Sequence, residues 1–128
     1  MAETLIDTSV IVDVLRLKPR AAHYLASKIR ANEAMLHPLV AAEVLAGARN
    51  KTELRQFEKL LADFHKISAE HEDWDECLRI YKSLFLVIGL GWEDCLLAAT
   101  ALRLDTELAT LNEKHFKAIP KLKVFRPY

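Results

Sequence analysis

"LIDTSVIVD", residues 5–13, is the stretch on which the reading of this chain turns. The apolar run TLI at 4–6 has the length of a buried strand. It stops on Asp7. Thr8 and Ser9 follow, and either hydroxyl can cap a helix over VIVDVLR, where Ile11, Val14 and Leu15 recur at helical spacing. A strand that ends on an acid and turns at once into a helix is the opening unit of an α/β protein.

The same alternation continues along the chain. Pro19 suits the first position of a helix over PRAAHYLASKIR, striped by Ala22, Leu25, Ala26 and Ile29. EAMLH at 33–37 reads as a second strand, and Pro38 opens a helix across LVAAEVLAG that Gly47 stops. KTELRQFEKLLA at 51–62 is helical, FHKIS at 64–68 a third strand, and Glu70 to Leu86 a long helix. VIGLGW at 87–92 interrupts the pattern before a helix from Glu93 to Arg103. ELAT at 107–110 and KLKVF at 121–125 complete the strands, with a helical turn expected at 111–117. Short strands alternating with longer helices imply a mainly parallel sheet of about five strands with helices on both faces. Residues 1–128 read as one domain with one core. In such sheets ligands bind beyond the carboxyl ends of the strands.

Composition narrows the function classes. With 52% hydrophobic residues the chain is not disordered, and no uncharged apolar window is long enough to span a membrane. MAETLID has neither the basic region nor the apolar segment of a signal peptide, so a cytoplasmic protein is expected. Cys77 and Cys95 are too few for a disulfide framework and read as buried free thiols. The 18 basic and 18 acidic residues cancel, so any nucleic acid must be steered by local patches. Lys51, Arg55 and Lys59 line one helix face, and Arg16, Lys18 and Arg20 form a second basic group. The five histidines are scattered and form no zinc pattern. Trp74 and Trp92 read as core or interface anchors.

Three acids stand apart because apolar segments carry them. Asp7 ends the first strand, Glu43 sits inside LVAAEVLAG, and Asp94 lies in the first turn of a helix that continues CLLAATAL. Singly, each has an ordinary explanation: a cap, a wet stripe, or the favourable end of a helix dipole. Together they gather carboxylates whose mutual repulsion a cation would relieve. Oxygen ligands without His or Cys suit Mg2+ or Mn2+, which can activate water against a phosphodiester.

"LIDTSVIVDVL", "VAAEVLAGA", "WEDCLLAATAL" and "LATLNEKHF" follow one another as they do in PIN-domain proteins, and the chain resembles most the VapC-type toxins of toxin–antitoxin pairs. The resemblance runs from Leu5 to Pro127. It implies a three-layer α/β/α PIN-like fold and a Mg2+-dependent endoribonuclease, a hydrolase that cleaves structured RNA such as transfer or ribosomal RNA with metal-activated water. It also implies a small antitoxin partner and a homodimer. Asp7 and Asp94 match the principal metal ligands, Glu43 a ligand acting at a second position or through water, and Thr8 an auxiliary hydroxyl. The chain departs from the pattern at Asn112, where relatives often carry a fourth acid; a neutral amide there leaves a second cation one charge short. Two other readings share part of this pattern. A haloacid-dehalogenase-type phosphatase needs a second acid two residues after the first, where this chain has Ser9. A non-catalytic PIN-like module that only binds RNA or protein would have no need of the Asp7–Glu43–Asp94 set.

Overall fold

The computed structural model describes residues 3–128. Five strands, β1 (Thr4–Ile6), β2 (Ala34–Leu36), β3 (His65–Lys66), β4 (Glu107–Ala109) and β5 (Val124–Phe125), form one sheet. Its order is β3-β2-β1-β4-β5 and every pairing is parallel. The helices are α1 (Thr8–Leu15), α2 (Pro19–Arg30), α3 (Pro38–Ala46), α4 (Lys51–Leu61), α5 (His71–Ile88), α6 (Trp92–Leu104) and α7 (Glu113–Phe116).

The chain builds the sheet outward from β1 to β3, then returns to place β4 on the other side of β1. Right-handed crossovers then put α1–α4 on one face and α5–α6 on the other. The packing agrees: α1 lies on α2 and α3, α3 on α4, and α5 along α6. The reversal of direction makes a switch point between the carboxyl ends of β1 and β4, the place where open parallel sheets hold ligands.

Burial follows the residue types. Leu5, Ile6, Met35, Leu36, Leu108 and Ala109 are buried, as expected for parallel strands covered on both faces. Each large side chain among them contributes roughly 1.5–3 kcal/mol by leaving water. In α6, Cys95 through Ala101 are buried without a break, so this helix has no wet face along its middle. Gly89, at φ 70, adopts the left-handed conformation that ends α5.

Three local expectations change. Thr8 and Ser9 lie inside α1 and do not cap it; Asp7 occupies the cap position. The fifth strand shrinks to Val124–Phe125, and α6 starts one residue earlier, at Trp92. Of the two places open to Trp74 and Trp92, the core is excluded and an interface is left: they stack at 6.0 Å between ring centroids and stay 43% and 41% exposed. Among the described residues no helix is long and apolar enough to cross a membrane.

Candidate functional site

Asp7 joins β1 to α1 with extended backbone, yet its carboxylate makes no capping bond to the helix. Its amide instead donates to the Ala109 carbonyl at 3.0 Å, extending the β1–β4 ladder by one step. Ile6 is in register with Ala109, so Asp7 comes to stand beside Thr110. Oδ2 of Asp7 accepts from Thr110 Oγ1 at 2.7 Å and from Ser9 Oγ at 2.8 Å. Both hydroxyls are held in turn by backbone: the Leu111 amide donates to Ser9 Oγ at 3.1 Å, and the Asn112 amide to Thr110 Oγ1 at 3.0 Å. Asp7 is 7% exposed, a nearly buried acid with no basic partner in its hydrogen bonds.

Glu43 projects from α3, whose first turn is fixed by His37: the ring Nδ1 accepts from the Leu39 amide at 3.0 Å. The Glu43 side chain is exposed, and its Oε1 accepts from Thr8 Oγ1 at 2.7 Å. Thr8 therefore bridges α1 to α3 and holds Glu43 next to the Asp7 junction.

Asp94 lies in the first turn of α6, half-buried. Burial pushes its carboxyl up to about 6, and the charges of Asp7, Glu43 and Glu93 add to the effect, with His115 partly offsetting them. Asp94 thus feels both other sequence-predicted acids, and the three share one electrostatic pocket. The helix N-terminus by itself would favour the ionised form, so the repulsion and desolvation outweigh it.

Asn112 falls at the cap position of α7, exposed, with no side-chain cap bond. What reaches the pocket is its amide N–H, through Thr110. Glu113 pairs with Lys117 at 3.8 Å.

The sequence reading missed Ser9 and Thr110 as partners of Asp7 and Glu93 as a further nearby acid. Aligning the ends of TLI and ELA would have put Thr110 beside Asp7. Nothing in the one-dimensional pattern marks Ser9, because only the folded β4–α7 loop gives its hydroxyl a fixed direction.

The donor set is all oxygen, which suits a hard cation. Among the described residues no three acidic, His or Cys side chains stand close enough to hold one ion by themselves. Mg2+ does not demand that, since it keeps several waters and binds through one or two carboxylates. The Asp7–Asp94 pair with Glu43 at one remove fits that habit.

The PIN-domain profile matches residues 4–122. The chain belongs to the PIN-domain family. Among its PIN-domain relatives, it is 35% identical over 129 residues to Ribonuclease VapC19 of Mycobacterium tuberculosis, covering 93% of this chain and 96% of that one. It is 34% identical over 122 residues to Ribonuclease VapC10 of the same organism, covering 93% and 90%. A toxin–antitoxin complex from Klebsiella pneumoniae contains a chain of the same PIN fold, with a TM-score of 0.81, 23% identity and 98% of both chains covered.

Proposed function

We propose that this protein is the endoribonuclease toxin of a toxin–antitoxin pair and cleaves structured RNA with the help of Mg2+ or Mn2+. The observation that carries the reading is Asp94: a half-buried acid pushed up to about 6 among like charges. Such a grouping is costly unless a cation joins it. The names of the relatives VapC19 and VapC10 support ribonuclease activity, and the Klebsiella pneumoniae complex supports an antitoxin partner.

In this reading Asp7 and Asp94 would hold the cation, with Glu43 beside them. When bound, the cation would activate water and neutralise charge on the phosphodiester. The chain's own residues do the rest. Ser9 and Thr110 fix the direction of Asp7, and Thr8 fixes that of Glu43. Burial and the neighbouring acids raise the Asp94 carboxyl to about 6, and a bound cation would oppose that shift. Exposed Lys51, Arg55 and Lys59 on α4, with Arg16, Lys18 and Arg20 at the α1–α2 turn, provide local attraction for RNA on an otherwise neutral protein.

A groove of about 700 Å³ between α1, α3 and α4 has Val12, Leu15, Val44 and Phe57 along it and Glu43 at its edge. It suits an antitoxin segment with apolar anchors and a basic side chain directed at the acids. Leu78 and Phe85 are exposed on α5 on the same side as Trp74, which stacks on Trp92. That apolar face favours a homodimer.

The test is cleavage of total RNA by the purified protein in Mg2+ and in EDTA, alongside Asp7→Asn and Asp94→Asn. Cleavage by wild type in Mg2+ only, lost in both variants, supports the reading. A folded wild-type protein that binds RNA but never cuts it would favour a binding module instead.

A further inference from the structure

We infer that Ser9 and Thr110 are positioning residues that decide which divalent cation the site accepts, by restricting Asp7 to one metal-facing oxygen. The inference rests on the metal-dependent reading above and adds the selection of the ion.

A carboxylate can meet a cation through one oxygen or through both. Here the two oxygens of Asp7 are not equivalent. Oδ2 takes two hydroxyl protons, from Thr110 at 2.7 Å and Ser9 at 2.8 Å. No hydrogen bond reaches Oδ1 among the described residues, and Oδ1 is not one of their unpartnered buried polar atoms, so solvent has access to it. The Leu111 and Asn112 amides occupy the far sides of the two hydroxyls. The amides fix where the two oxygens sit, and the shorter of the contacts open to the Ser9 proton is Asp7 Oδ2 at 2.8 Å, against Thr110 Oγ1 at 3.5 Å. Thr110 is fully buried, so no water can take over its role cheaply.

Using Oδ2 as a second ligand therefore means breaking a short hydroxyl–carboxylate bond. Mg2+ and Mn2+ lose little by this restriction, since six ligands are met by single carboxylate oxygens and waters. Ca2+ is larger, takes up to eight ligands and gains from two-oxygen carboxylates. The hydroxyl pair thus disfavours the larger ion without touching it.

The experiment measures binding rather than turnover. Ca2+ affinity is read by calorimetry and Mn2+ affinity by the electron spin resonance signal of free Mn2+. The proteins are wild type, Asp7→Asn, Ser9→Ala, Thr110→Ser, and the Ser9→Ala/Thr110→Val double variant. Releasing Oδ2 in the double variant should shift the ratio of Ca2+ to Mn2+ affinity toward Ca2+ by roughly tenfold, the scale on which ligand-supporting groups act. Ser9→Ala alone should give a smaller shift in the same direction. Thr110→Ser keeps the donor and should retain the wild-type ratio. If the double variant does not fold, Ser9→Ala decides, because Ser9 is only half-buried. An unchanged ratio overturns the inference, as does a parallel change in both affinities, which a purely electrostatic or structural role would produce. Absence of any cation binding that Asp7→Asn removes would overturn the metal-dependent reading itself, and is recognisable because wild type and Asp7→Asn then bind cations alike.

Discussion

Asp73 and Asp94 occupy matching places, each in the first turn of one of two helices packed side by side. Asp73 is the more buried, at 1% exposed. Burial pushes its carboxyl up, but the Arg103 guanidinium, the Glu70 amide and the Thr100 hydroxyl more than offset this and hold it below the usual range. Arg103 Nε reaches Oδ1 at 2.7 Å, and Arg103 Nη2, the Glu70 amide and Thr100 Oγ1 reach Oδ2 at 3.0–3.1 Å. Behind Thr100 stands His37. Its Nδ1 accepts from Leu39, so its proton lies on Nε2 and points to Thr100 Oγ1 at 3.0 Å. Asp94, less buried, has like charges for neighbours and is pushed the other way. Burial alone therefore does not mark a working acid. The sign of what surrounds it does, and the fold completes one carboxylate while leaving the other open to an incoming cation.

The largest test of this contrast is catalytic. Asp94→Asn or Asp7→Asn should lower Mg2+-dependent RNA cleavage by roughly three orders of magnitude, the scale of lost metal-supported charge stabilisation. Asp73→Asn should leave Asp7 and Asp94 in place and act on stability instead. A cleavage assay corrected for folded fraction separates the two, and near-wild-type cleavage by Asp94→Asn would refute its assignment.

Next in size is stability. Asp73→Asn leaves Arg103 without its partner and should cost about 3 kcal/mol. Asp94→Asn in EDTA should be neutral or stabilise by about 1 kcal/mol, since it removes repulsion. Urea unfolding of both variants checks this, and equal destabilisation would erase the distinction between the sites.

A pH series sharpens it further. Folded Asp94 keeps its proton up to about pH 6, against an ordinary 3.8. Between those values the metal-free folded state binds more protons than the unfolded state. Its contribution is therefore complete at the acid end and is lost as pH rises to about 6. Partial solvent access limits the effect to about 1–2 kcal/mol. Comparing wild type with Asp94→Asn in EDTA from pH 4 to 7 isolates this slope. His37, whose protonation burial disfavours, contributes in the opposite sense, losing stability as pH falls below its ordinary 6.5.

The smallest expected effect belongs to Asn112. Asn112→Asp adds a charge at the rim and should lower the Mg2+ concentration for half-maximal cleavage by about threefold, a fraction of a kcal/mol as befits an exposed group. Superimposable Mg2+ titrations for wild type, Asn112→Asp and Asn112→Ala would place this residue outside the working pocket.

The parallel sheet, the helices and the family were legible because they rest on periodicity and on motifs that keep their order along the chain; the strand order, with β4 returning beside β1, was not. The three acids stand out in the sequence because TLI, LVAAEVLAG and CLLAATAL are too apolar to carry idle charges. The role of Asp7 at the helix start was not legible. Sequence alone allows a capping acid there, and only the register of Ile6 with Ala109 shows its oxygen turned to Thr110 rather than to the helix. The Asp73–Arg103 pair was equally hidden, since it joins residues 30 positions apart on different helices.

That register has a consequence for how the protein is made. Asp7 is synthesised before Thr110, which orients it and follows 103 positions later. β1 pairs on one side with β2 and on the other only with the late β4. A nascent chain lacking β4 has a bare edge on β1, and its first acid has neither Thr110 nor the Ala109 carbonyl to set its direction. Contacts this distant in sequence form late in folding. The pocket thus cannot assemble before β4 has been made, and chains that stop short of β4 carry its first acid without the Thr110 hydroxyl that orients it.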